Sequence, residues 1–189
     1  NRLWQDDQNY IYAITKGESG IKPKAHSIVF PKAGYAIFRD DWANGEFSTY
    51  IHFTAAYHTS YHKHSDDLSI WIYANGHDIV REAGPNGYQY DNPYTQYAYS
   101  SYAHNTLIVN DMGLPRVDGK FNKTYIENYY FKDDDPVSTV TGVNKRFDGV
   151  IHRRNLKYDR SINEISVIDS ISSNKENNYK ILWNLASNV

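Results

Sequence analysis

The sequence predicts a mainly β protein, an antiparallel β-sandwich preceded by a short N-terminal helix or linker. Three observations carry this. From residue 30 onward, apolar and polar residues alternate in short runs, the period of half-buried strands. Asn-Gly turn signals at Asn44-Gly45, Asn75-Gly76 and Asn86-Gly87 separate the runs, and about ten strands follow at sandwich-like intervals. The chain holds 18 Tyr, 7 Phe and 4 Trp in 189 residues, and aromatic side chains favour strands.

Taken in order, residues 1–15 place Leu3, Tyr10, Ile11 and Ile14 at near-helical spacing, which predicts one helix. Residues 16–24 are loop by their Gly, Pro and charge content. Residues 34–39 predict a strand. Phe47, Thr49, Ile51 and Phe53 alternate with polar neighbours and predict another, with Asn44-Gly45 as the hairpin turn between the two. Residues 68–74 and 77–83 flank Asn75-Gly76, the clearest hairpin signal in the chain. Residues 92–101 have no period and read as a tyrosine-rich loop, and 106–110 as a short strand. Asp133-Asp134-Asp135-Pro136 is a charged turn without the ligand spacing of a calcium loop. Residues 137–143, 149–158, 164–171 and 179–185 are further strands, giving a linker over 1–29 and one sandwich domain over 30–189.

Composition removes several classes of function. The net charge of −2 gives no electrostatic reason to expect a nucleic-acid partner. No apolar run approaches the roughly 20 residues of a membrane span. Cysteine is absent, so a metal site would use His, Asp or Glu. The tyrosines suit sugar stacking as well as ordinary sheet packing.

Residues 57–111 hold five of the eight histidines, His58, His62, His64, His77 and His104. His62 and His64 stand two apart, and in extended backbone both imidazoles face one side. Glu82 and His104, near predicted strand ends, could complete a set of metal ligands with an open position. A strict two-residue turn at Asn75-Gly76 puts Ser69 opposite Glu82, with His64 on the other parity. The set therefore requires irregular backbone between His64 and Leu68, which Ser65-Asp66-Asp67 could supply. Asp66 and Asp67 are either acceptors that orient the imidazoles or turn residues. His26, His52, His58, His77 and His152 have no partner that the sequence names.

FPKAGYAIFRDDW, YHKHSDDLSIWIYANGHDIVREAG, GYQYDNPY and AHNTLIVND, followed by HRRNLKYDR and ISVIDSI, together resemble the C-terminal domain of the heparinase II/III-like polysaccharide lyases, to which alginate lyases are related. The resemblance implies an α/α toroid before the sandwich, with the active cleft between them, so that this chain is a piece of a larger enzyme, further strands follow Val189, and the piece alone is inactive. It implies cleavage of an acidic, uronic-acid-containing polysaccharide by β-elimination, in an extracytoplasmic setting. His62 resembles the sandwich histidine that reaches the catalytic cleft, and Tyr88 the tyrosine that contacts substrate or assists proton transfer, with Tyr90 as a substrate-binding fallback. His64, Glu82 and His104 resemble the ligands of a structural zinc; Glu82 stands where the family usually has Asp. Asn105 is expected to tie down backbone. A cupin-like metal enzyme also places His-x-His on a sandwich, but it requires a Glu after three or four intervening residues, where this chain has Leu68 and Ser69 instead. A non-catalytic carbohydrate-binding module would use the tyrosines without needing the histidines.

Overall fold

The computed structural model describes Trp4 and residues 6–187. Helix α1, Gln8–Ile14, starts at Asp7, whose carboxylate accepts the backbone N–H groups of Asn9 and Tyr10. Eleven strands follow among the described residues. β1 (Ile28–Phe30), β2 (Tyr35–Arg39), β3 (Tyr50–Thr54), β4 (Ile70–Ala74) and β5 (His77–Val80) form a five-stranded antiparallel sheet in that order. β7 (Thr124–Tyr130), β8 (Val137–Asn144), β9 (Val150–Asp159) and β10 (Glu164–Ser173) form a four-stranded antiparallel sheet, ordered β10-β9-β8-β7. β6 (Leu107–Val109) and β11 (Tyr179–Ile181) pair as a ribbon.

The two larger sheets face each other over one core. Ala36, Phe38, Ile51, Phe53, Leu68, Ile70 and Ile72 meet Val140, Leu156 and Tyr158. Burial alternates along all of β9, so Val150, His152, Arg154, Leu156 and Tyr158 all point inward. The interior is therefore apolar at the Leu156–Tyr158 end and charged at the His152–Arg154 end. Gly142 on β8 lies where a Cβ would come within 2.5–2.9 Å of Leu68 and Phe53, so the sheets close there only because that side chain is missing.

The β4–β5 hairpin turns on Asn75 and Gly76, at φ 52° and 84°, the double left-handed step of a tight turn. Three expectations change. Asn44-Gly45 is not a tight hairpin turn: Asn44 is right-handed and a 3-10 turn, Gly45–Phe47, follows before β3, leaving Phe47 exposed. Residues 92–101 are not a loop: Asn92 caps helix α2, Pro93–Tyr99, with proline in its first turn, and a 3-10 turn, Ser101–Ala103, continues it. β1 and β7 are additional strands: β1 falls at the end of the stretch read as linker and pairs with β2, and β7 pairs with β8 on one side only.

Candidate functional site

The His-x-His segment does not run extended. His62 and Leu68 both adopt left-handed backbone, φ 52° and 61°, so the extended geometry that would set both imidazoles on one side is broken at His62, and the two rings have different neighbours. The same irregularity supplies the break in parity that His64 needs. His62 is exposed and packs edge-on against Tyr88, ring centres 5.6 Å apart. His64 is half-buried, 4.3 Å from the Tyr99 ring and 5.3 Å from the His104 ring. Burial, then the neighbouring His104, lowers its pKa.

His104 follows the 3-10 turn and is buried. Its Nε2 lies 3.3 Å from His64 Nδ1, while its Nδ1 contacts the Glu82 carboxylate. The other Glu82 oxygen accepts from Ser69 and, at 3.1 Å, from Asn105 Nδ2. His64, Ser69, Glu82 and His104, with His52, Asp66 and Trp71, line a cleft of 220 Å³.

The floor of this cleft is tied down by two buried side chains. Asn105 donates to Ile70 O and Arg81 O at 2.8 and 3.0 Å and accepts from Asn184 N, so it fixes three backbone segments, as expected. Arg154 reaches from β9 to Leu68 O at 2.8 Å and Asn105 O at 2.5 Å while holding Asp169 with both prongs of its guanidinium. A second buried group lies alongside: Asp67 accepts from Arg146 at 2.7 Å and pairs with Lys63 at 3.3 Å, and Asp66 pairs with Lys63. Neither aspartate accepts a hydrogen bond from an imidazole; Asp66 lines the cleft and acts on His64 and His104 through its charge.

Tyr88 is 71% exposed. Tyr90 is instead stacked on Tyr99 at 5.3 Å and covered by Arg116 at 4.7 Å. His52 was missed by sequence reading. It pairs across β3–β4 with Trp71, and that register was the signal that could have placed it.

The donor set suits zinc in its chemistry and only in part in its arrangement. Two imidazole nitrogens on one tetrahedral zinc, each at about 2.0–2.1 Å, stand roughly 3.3 Å apart, the separation found between His64 Nδ1 and His104 Nε2. Glu82, however, sits on the opposite nitrogen of His104, the position of a carboxylate that orients a ligand histidine. Among the described residues no three His, Asp or Glu side chains converge on a common centre.

The heparinase II/III-like, C-terminal family matches residues 22–189. The chain belongs to that family. Solved structures agree in fold. A heparinase III, the BT4657 gene product, superposes with a TM-score of 0.84 at 18% identity, covering 98% of this chain and 28% of that one. The heparan sulfate lyase HepC from Pedobacter heparinus gives 0.82 at 19%, covering 98% and 28%, and another heparinase III gives 0.76 at 20%, covering 95% and 28%. The chain thus spans little more than a quarter of those proteins. None of the curated proteins compared with it matches by sequence. No described helix is long and apolar enough to cross a membrane.

Proposed function

We propose that this domain is the sandwich half of a lyase that cleaves uronic-acid-containing polysaccharide by β-elimination outside the cytoplasm. The observation that carries the reading is the exposed pairing of His62 with Tyr88, two proton-transfer side chains brought together from separate segments. In the reaction a base takes the C5 proton, the electrons of that C–H bond form the C4–C5 double bond, and the C4–O4 bond breaks as O4 receives a proton from an acid. His62 and Tyr88 lie close enough to serve those two proton transfers on one substrate. The groups that neutralise the uronate carboxylate, which the C5 carbanion needs, belong to a preceding α/α toroid, so the 189 residues alone are inactive.

A structural zinc on His64 and His104 would fix the loop that carries His62, with Glu82 binding it directly or holding His104 in one tautomer. When bound it supplies rigidity; the proton transfers stay with His62 and Tyr88. Elemental analysis should find about one zinc per chain, lost in both His64→Ala and His104→Ala. The intact protein should release unsaturated product from heparan sulfate or alginate, read by the ultraviolet absorbance of the new double bond. His62→Ala and Tyr88→Phe should each lower kcat by about 10²–10⁴-fold, without loss of stability, since both side chains are exposed. Full activity in both variants would refute the assignment.

A further inference from the structure

We propose that the outward face of the five-stranded sheet carries a saccharide track, which starts at the His64–His104 cleft, crosses Trp71 and ends at an oxyanion subsite on Arg39. The subsite takes a carboxylate or sulfate of an acidic saccharide chain, a ligand class that rests on the lyase reading. The sheet register lays the track out. His52 pairs with Ile37 and Trp71 in one row, and Tyr50 pairs with Arg39 and Tyr73 in the next. Rows two residues apart lie about 7 Å from each other on the same face. Trp71 borders both the cleft and a groove of 420 Å³ lined by Arg39, Tyr50 and Tyr73. Arg39 in turn borders a further groove of 500 Å³ lined by Trp42, Lys16 and Glu46. Three concavities are thus joined end to end through two side chains.

The platforms are held in place. Trp71 Nε1 donates to Asp78 at 2.8 Å, Tyr73 Oη to Glu46 O at 2.8 Å, and Trp42 Nε1 to Ala25 O at 2.9 Å. Arg39 is clasped between Trp42 and Tyr50, its guanidinium 4.3 and 5.2 Å from their ring centres. Among the described residues no acceptor takes a hydrogen bond from that guanidinium. The nearest acids in sequence make their hydrogen bonds elsewhere: Asp41 pairs with Lys22 at 2.7 Å, and Asp40 accepts from Asn44 at 3.0 Å while acting on Arg39 through its charge only. Burial lowers the pKa of Arg39 more than the neighbouring Tyr50 and the Asp40 charge raise it, so the cation has lost hydration that its surroundings only partly replace. A half-buried guanidinium, oriented by two rings and with its hydrogen-bond donors unused among the described residues, fits the two oxygens of a carboxylate or sulfate.

Calorimetry of the 189-residue chain with heparan sulfate and alginate tetrasaccharides tests this, with inorganic sulfate and a neutral cello-oligosaccharide as comparisons. Arg39→Gln should weaken binding of an acidic tetrasaccharide at least about tenfold, and Trp71→Ala should weaken it as well. Neutral sugar should bind weakly and be unaffected by Arg39→Gln. Equal affinity in wild type and Arg39→Gln would overturn the proposal, as would binding of sulfate alone. Should Arg39→Gln fold poorly, Trp fluorescence of the wild type decides: titration that leaves it unchanged overturns the track. In the intact protein Arg39→Gln should raise KM for long chains with kcat unchanged. An active lyase with unaltered KM refutes only the track, whereas a protein that binds acidic saccharide but releases no unsaturated product refutes only the lyase reading.

Discussion

Replacing Arg154 by Met should be among the most damaging single changes in the domain. The side chain is fully buried and makes four hydrogen bonds, two to Asp169 and one each to Leu68 O and Asn105 O. Met fills similar space but donates nothing. It leaves two carbonyls without a partner, at about 1–3 kcal/mol each, and breaks a buried ion pair, at about 3–5 kcal/mol. These costs overlap because Asp169 keeps His152 at 2.6 Å and has some access to water. A net loss of about 4 kcal/mol is expected, a large part of the 5–15 kcal/mol typical of a domain. At roughly 2–4 °C per kcal/mol for this size, Tm should fall by about 8–16 °C. Arg154→Lys keeps a charge near Asp169 but loses the fork, and should cost about half as much. Thermal unfolding followed by circular dichroism, checked against urea midpoints, reads this directly. A Tm for Arg154→Met within about 3 °C of wild type, or a Lys variant as damaging as Met, would refute the argument that this guanidinium ties the cleft to the opposite sheet.

Two further outcomes concern the same interior. Burial pushes the Asp169 carboxyl up, but hydrogen bonds from His152 and Arg154 outweigh this and hold it at about 2, below its ordinary 3.8. That is worth about 2.5 kcal/mol at neutral pH, present above pH 4 and lost as pH falls toward 2. His152 is shifted down as well, chiefly by burial, which takes its pKa below 6.5, so the unfolded chain takes up a proton that the folded one refuses. Stability should therefore begin to fall below about pH 6.5. Urea midpoints measured against pH should show both limbs, and His152→Gln should flatten the upper one; an unchanged limb in that variant would count against this. Asp67→Asn should lower stability by about 3–5 kcal/mol, because fully buried Arg146 and nearly buried Lys63 both face that carboxylate. A change in urea midpoint equivalent to less than 1 kcal/mol would contradict that account.

What could be read from the sequence follows from exposure. β3, β4 and β9 each set one face against the core and the other toward water or a neighbour, so their alternation survives in the residues. β7 was invisible because most of its residues are exposed and TYIENYY carries no clean alternation. Helix α2 buries only Thr95, Ala98 and Tyr99 among polar and tyrosine neighbours, too few apolar positions to show a period. At the site, His64, Glu82 and His104 were named from the sequence and do lie together. The left-handed backbone at His62 was not legible, because a left-handed histidine leaves no sequence signal comparable to glycine. Lys63, Arg146 and Arg154 were missed, and the burial of Asp67 with them, for another reason: charged residues are read as solvated by default, and only the fold supplies partners that allow their burial.

Gly142 gives the site a mechanical property. Its bare backbone lets Leu68 and Phe53 settle onto the opposite sheet, and Leu68 is the left-handed residue that ends the loop carrying both histidines. The sandwich is thus pinched beneath the cleft. Close-packed interiors transmit displacement rather than absorb it, so a methyl group at position 142 would act as a wedge, prising the sheets apart and lifting the histidine loop without touching a single polar atom of the site. The thickness of the sandwich at that one point is a dimension of the cleft.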